Sequence, residues 1–363
     1  MKKILIIAST LGRDGTSRFI THFANGMSNS NEFQVSLLFF RPVEPLFLDR
    51  FDSSVEVSSL GIDGSLWKNF LSILVSILRK KPDFCILGFH QLLYMSFLSP
   101  IFHIFGIRLL FRDTIIPSLF HKNAKLIQRK LLKWAYLCVD NIIVQSKDMQ
   151  EDLIKNWGIN IDKTLLINNP VDTAALNSKF YECPVELKNK TKFTFVAAGR
   201  LTSQKGYDII IKRVHEMKPA APFRLLILGS GELEYELRDK IKEFNLEDDI
   251  QLLGYRNNIA PYLFYSDALL LCSRYEGFPN IVLEAQAIGK PVFSNSCLGG
   301  INEIIINGKN GWVCDFEDTN TFETGLKKFF QSAYSIDEIK DMTYSRYDIS
   351  IIMNRYISIF KGL

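Results

Sequence analysis

No C-x-x-C and no Asp-x-Asp occurs anywhere in the 363 residues, and no apolar run of membrane-spanning length is free of polar breaks. The six cysteines (Cys85, Cys138, Cys183, Cys272, Cys297 and Cys314) are scattered, several of them within apolar runs. That excludes a paired zinc spacing or a disulfide framework, and reads as buried thiols in a reducing cytoplasm. Without Asp-x-Asp, a bound divalent metal is not expected. An excess of one charge is also missing: the net charge is +4, weak support for an anionic partner, and nucleic acid is not expected. The start, Met-Lys-Lys-Ile-Leu-Ile-Ile, mimics a short signal peptide. However, Arg13, Asp14 and Arg18 follow at once with no small-residue cleavage site, so it reads as a buried first strand. Residues 84–111 are apolar over spanning length, but they hold His90, Gln91, His103 and Arg108 and are broken by Gly88, Pro100 and Gly106. A strand, a helix and a second strand in a core fit them better than a membrane span.

What is present is a folded chain of two-domain length, 47% hydrophobic. Apolar strand-length runs alternate with helical periods. Residues 2–8, 35–40, 83–88, 107–111, 140–146 and 165–167 read as strands of one parallel sheet. A second alternation begins at Phe193, after an irregular stretch containing Pro184. The expected division is an N-terminal domain over 1–172, a linker over 173–191, a C-terminal domain over 192–345, and a last helix over 346–363 packing back on the first domain. Residues 121–134 carry Lys122, Lys125, Arg129, Lys130 and Lys133 with no acid, and Leu126, Leu131, Leu132 and Trp134 would supply apolar contacts. Such a basic helix fits either an anionic lipid surface or a solvated face.

The most informative stretch is Ser273-Arg274-Tyr275-Glu276-Gly277-Phe278-Pro279-Asn280, continuing to Glu284 and Ala285. It follows an apolar strand. Pro279 suits a first helical position, and Gly289 and Pro291 close the helix. Glu276 therefore sits on a loop and Glu284 inside a helix, at the strand edge where parallel sheets bind ligands. A second loop, Gly199-Arg200-Leu201-Thr202-Ser203-Gln204-Lys205-Gly206, places a guanidinium and an ammonium between glycines after another strand. Bidentate Arg, point-charge Lys and close backbone N–H groups suit a diphosphate. Glu284 is placed to accept ribose hydroxyls and Glu276 to hold sugar hydroxyls, which together describe a nucleotide sugar. Gly12 and Gly15, after the first strand, are spaced G-x-x-G: a phosphate cradle or a tight turn, and not a nicotinamide fingerprint.

These motifs resemble the family 4 retaining glycosyltransferases. The matching segments are Gly199-Arg200-Leu201 with Lys205-Gly206, Glu276 and Glu284 as E-x7-E, Gly299-Gly300-Ile301-Asn302-Glu303, and Asn169-Pro170-Val171-Asp172. The resemblance covers most of the chain and is strongest over 193–311. It implies an α/β chain of GT-B architecture, two Rossmann-like domains facing across a cleft. It implies transfer of a sugar, with retention, from a nucleotide sugar, UDP being expected, to a carbohydrate or lipid-linked glycan acceptor in surface polysaccharide synthesis. The donor is a substrate, and no cofactor is expected. Arg200 and Lys205 would neutralise the leaving diphosphate, Glu276 would contact the transferred sugar, and His90 would touch donor or acceptor. Gly12, Gly15 and Gly199 would approach phosphates, and Tyr255 would lie against the base. Backbone around Gly277, Phe278, Pro279 and Asn280 would meet sugar and phosphate, and Glu284 would hold ribose. The expected location is the cytoplasm, peripheral to the inner face of the membrane through 121–134. An epimerase of similar shape would lack the 199–206 loop in this form, a phosphorylase would carry a cofactor lysine, and a non-catalytic binder would not need both cations and both acids.

Overall fold

The computed structural model describes residues 1–12, 15–64, 66–88, 91–177, 180–217 and 222–363. They fold as two compact units: Met1–Pro170 with Ile349–Leu363, and Val171–Asp348. Each is built on its own all-parallel sheet, with β-branched and leucine-rich strands buried on both faces because helices cover both.

The first sheet contains β1 (Lys2–Ala8), β2 (Phe33–Phe39), β3 (Glu56–Ser59), β4 (Phe84–Leu87), β5 (Arg108–Arg112), β6 (Asn141–Val144) and β7 (Thr164–Leu166). Their order is β3-β2-β1-β4-β5-β6-β7. The chain winds outward from β1 to β3, then returns to β4 on the other side of β1. Within 84–111 the described residues form β4, the helices Leu92–Ser96 and Ser99–Ile104, and most of β5, the strand–helix–strand reading in place of a span. No helix among the described residues is long and apolar enough to cross a membrane.

The helix Ile349–Gly362 belongs to this unit. Its apolar face is threaded by Tyr356, whose ring lies 4.9 Å from Phe23, and by Phe360, 5.0 Å from Phe84. Arg112, fully buried at the end of β5, stacks on Phe19 (3.5 Å to the ring centroid) and donates to Asn169 Oδ1 at 2.6 Å. Burial lowers the Arg112 pKa, and the Tyr356 hydroxyl and the nearby Asp113 charge act against that lowering.

The second sheet contains β8 (Phe193–Ala198), β9 (Phe223–Leu228), β10 (Ile250–Gly254), β11 (Ala268–Leu271), β12 (Val292–Asn295) and β13 (Gly311–Cys314). Their order is β10-β9-β8-β11-β12-β13, so here too the winding reverses, between β8 and β11. Phe195, Phe223 and Phe293 fill the core on one face, with Phe195 and Phe223 edge to face at 5.1 Å. Residues 173–191 lie within this unit; Leu187 and Tyr181 are buried there, and the Tyr265 hydroxyl donates to the Tyr181 carbonyl at 2.8 Å.

Candidate functional site

A reversal of strand order leaves a crevice at the carboxyl ends of the two diverging strands. In the second unit those strands are β8 and β11, and the two loops singled out from the sequence leave from them. Lys205, on the loop after β8, places Nζ 2.6 Å from Glu276 Oε1 on the loop after β11. The Ser273 hydroxyl donates to the same oxygen at 2.6 Å. Side-chain exposures of 18% and 9% put this ion pair mostly out of water, where an unmatched charge is costly.

Arg200 lies on the same loop as Lys205 and is exposed, with no hydrogen bond or ion pair to its guanidinium among the described residues. Its backbone is held firmly. The Leu201 N–H donates to the Ser230 carbonyl and the Leu233 N–H to the Leu201 carbonyl, at 2.9 and 3.0 Å. The loop therefore offers one neutralised cation and one unpaired cation at the edge of a sheet.

The two loops are fastened to each other. The Arg274 N–H donates to the Gln204 carbonyl at 2.8 Å, and the Gln204 amide donates to the Tyr275 carbonyl at 3.0 Å. Arg274 also forks onto Asp208, NH1 to Oδ1 at 2.9 Å and NH2 to Oδ2 at 2.7 Å. Burial alone would raise the Asp208 pKa, but the Arg274 hydrogen bond and charge outweigh it and hold the carboxyl below its ordinary value. Gly206 turns the first loop with φ +65°, and a Cβ there would come within 2.1 Å of the Cys272 carbonyl oxygen. Gly299, with φ +113°, packs as closely: a Cβ would lie 1.9 Å from the Glu276 carbonyl oxygen. The Glu276 N–H donates to the Leu298 carbonyl at 2.9 Å, so the 297–300 loop fixes the far side of the glutamate.

The helix after the loop runs Asn280–Ala287, with Pro279 at its cap in extended conformation and not at the first helical position. The Phe278 side chain is buried against Tyr347 (5.7 Å between rings), so only its backbone is available to a ligand. Gly277 and Pro279 are buried as well, Pro279 carries no N–H, and Asn280 is half-buried at the helix start. Glu284, half-buried one turn further on, lies near enough that its charge, after burial, raises the Tyr181 pKa. Tyr255 follows Gly254 (φ +74°) at the exit of β10 and is 55% exposed, an available flat surface. Gly199 lies where β8 ends, near the Lys205 side chain.

In the first unit the Gly12 N–H donates to Ser17 Oγ at 2.9 Å, and Gly15 begins the helix Gly15–Asn29. Gln91, buried after β4, donates to Ser9 Oγ after β1 at 2.7 Å, joining the two strand exits where that sheet reverses. His90, expected at this edge, lies outside the described residues, as do Arg13 and Asp14 between the two glycines. Ser273, Asp208 and Arg274 were not singled out from the sequence for any role at the site. Ser273 and Arg274 stand inside the informative stretch, but the partnership of Arg274 with a residue 66 positions away has no sequence signature.

Comparison with known proteins covers both units. Residues 182–346 match the model described as Glycosyl transferases group 1, and residues 13–175 the model described as Glycosyltransferase Family 4. A Campylobacter jejuni relative, named N-acetylgalactosamine-N,N'-diacetylbacillosaminyl-diphospho-undecaprenol 4-alpha-N-acetylgalactosaminyltransferase, is 30% identical over 227 residues. That alignment takes in 62% of this chain but only 60% of the relative's length. The amylovoran biosynthesis glycosyltransferase AmsD of Erwinia amylovora is 25% identical, covering 92% of this chain and 91% of its own. The crystal structure of Anabaena HepE in complex with UDP and glucose superposes with a TM-score of 0.78 at 19% identity, over 100% of both chains. At that identity the likeness speaks to fold, and the fold is that of GT-B enzymes.

Proposed function

Because the chain belongs to the group 1, family 4 glycosyltransferases, whose models together match both of its units, we propose that it moves a sugar, with retention, from a nucleotide sugar to a hydroxyl of a lipid-linked glycan. UDP is the nucleotide in this reading. The observation that carries it is the meeting of Lys205 with Glu276 at 2.6 Å beside an exposed, unpartnered Arg200. A departing nucleoside diphosphate gathers negative charge on its oxygens. Two preplaced cations stabilise that charge without reorganising as it forms. Glu276, held by Ser273 and by the Leu298 carbonyl, is oriented before substrate arrives and has a free Oε2 to accept a sugar hydroxyl.

In this reading Glu284 accepts from the ribose, Tyr255 lies against the base, and Gly199 lets backbone approach the phosphates. Gly12, before the Gly15–Asn29 helix, and Gly15, at its start, would approach phosphate as well. His90 serves donor or acceptor. In this reading the reaction proceeds without a bound metal or cofactor, and the diphosphate oxygen takes the acceptor proton. The sugar is a hexose or N-acetylhexosamine. A lipid-linked acceptor draws support from the Campylobacter relative, whose name contains a diphospho-undecaprenol acceptor. In this reading the protein works in the cytoplasm at the inner face of the membrane, with 121–134 in contact.

The test is a panel of UDP, GDP and ADP sugars, with nucleoside diphosphate release measured with and without a membrane lipid extract, in chelator. Release from one donor, stimulated by the extract, is expected. Absence of both release and nucleotide binding across the panel would overturn the reading.

A further inference from the structure

The helix within the basic stretch runs Leu126–Cys138, and it carries apolar side chains on an outward face as well as on the face that packs on the core. Ala135 and Tyr136 point into the core of the first unit. Leu126, Ile127, Leu131, Trp134 and Leu137, expected to supply packing contacts in part, are instead exposed, Leu126 and Ile127 by 71% and 74%. Ile127, Leu131 and Trp134 recur at intervals of four and three, so they line one stripe. Phe97, exposed on the neighbouring segment, packs its ring against Trp134, centroids 4.7 Å apart and planes tilted by 51°, and widens it.

The charges around the stripe have one sign. Residues 121–134 contain no acid, and Lys122, Lys125 and Lys130 are exposed without a carboxylate partner among the described residues. Arg129 turns the other way, over the Trp157 ring at 5.4 Å, and Lys133 reaches toward Gly158. An outward apolar stripe ending in Trp134, with lysines beside it, fits an anionic bilayer: side chains enter the acyl boundary while ammonium groups stay at the phosphates. A second copy of this chain fits poorly, since a two-fold contact would set the same lysines against each other.

We infer that the outward face of the Leu126–Cys138 helix, with Phe97, inserts into the surface of an anionic membrane through Ile127, Leu131 and Trp134, with Lys122, Lys125 and Lys130 on lipid phosphates. This deepens the lipid-linked acceptor reading, on which it rests for its purpose, by assigning the inserted side chains.

The test uses the full chain and vesicles of phosphatidylcholine with or without phosphatidylglycerol. Wild type should partition onto the anionic vesicles with a blue shift of Trp134 emission, absent in Trp134→Phe. Exchanging Lys122, Lys125 and Lys130 for Gln should weaken partitioning on the order of a hundredfold. Exchanging Ile127 and Leu131 for Ser should weaken it at least tenfold while leaving the salt dependence. Thermal melting and lipid-free donor hydrolysis should be unchanged in both, since every altered side chain is exposed; hydrolysis reads the proposed activity separately. Equal partitioning of wild type and both variants, no partitioning at any lipid composition, or a lipid-free dimer dissolved by the Ser exchanges would overturn the inference.

Discussion

Arg274 grips Asp208 with both arms of its guanidinium, at 2.9 and 2.7 Å, and so ties the strand exit that carries Glu276 to the helix that follows Lys205. The fork is about one-third exposed, so its contribution to stability is small. Its consequence is geometric. Arg274→Ala should lower kcat about ten- to a hundredfold through misplacement of Lys205 and Glu276, with KM for the donor changed much less. Asp208→Ala should do the same, and the double variant should be no worse than either single one. Additive losses would show that the two residues act separately.

The contact between Lys205 and Glu276 predicts opposite effects on binding and turnover. In the unliganded chain the glutamate neutralises the ammonium that the diphosphate needs. Glu276→Gln should hold free nucleoside diphosphate at least as tightly as wild type in calorimetry, while losing orders of magnitude in kcat. Lys205→Ala should lose both, with its fold intact by circular dichroism. Wild-type turnover in Lys205→Ala would remove it from the mechanism.

Gly299→Ala puts a methyl group where the Glu276 carbonyl oxygen already stands, at a φ of +113° that a side chain rarely adopts. The cost should be about 2 kcal/mol or more in chemical denaturation. Activity should fall further than that loss explains, because the atom displaced belongs to the glutamate's own backbone. Stability within a few tenths of a kcal/mol of wild type would mean the close approach is relieved elsewhere.

Asp113 supplies a pH signature away from the site. Burial raises its pKa from 3.8 to about 6, against the lowering effect of the Tyr136 hydroxyl and the Thr114 and Ile115 N–H groups. A carboxyl whose folded pKa is raised favours folding most below its unfolded value and loses that contribution as pH climbs through the folded one. The loss spans about pH 4 to 6 and amounts to roughly 3 kcal/mol. Asp113→Asn should therefore gain stability relative to wild type between pH 4 and pH 7, whatever its offset. A constant difference in melting temperature across that range would contradict the assignment.

Much of this was legible beforehand for a physical reason. A glycine-flanked Arg and Lys after a β-strand, and two glutamates eight positions apart across a loop and a helix, are local patterns, and local patterns survive in sequence. The reversal of strand order that brings residue 205 to residue 276 is topological and leaves no such mark. Nor does the clamp between Arg274 and Asp208. The composition of residues 121–134 showed basic side chains beside Leu126, Leu131, Leu132 and Trp134, but not that Leu132 would pack on the core while Leu126, Leu131 and Trp134 stay exposed. Phe278 illustrates the same limit: adjacency to a binding loop did not reveal that its ring turns inward against Tyr347.

The most direct test of the central claim is calorimetric titration of the chain with UDP, GDP and ADP in chelator, for wild type, Arg200→Ala and Lys205→Ala. The account predicts saturable binding of one diphosphate, at least tenfold weaker in each variant, with the matching monophosphate bound weakly and alike by all three. Diphosphate binding that both variants retain at full strength, or no binding by wild type, would contradict it.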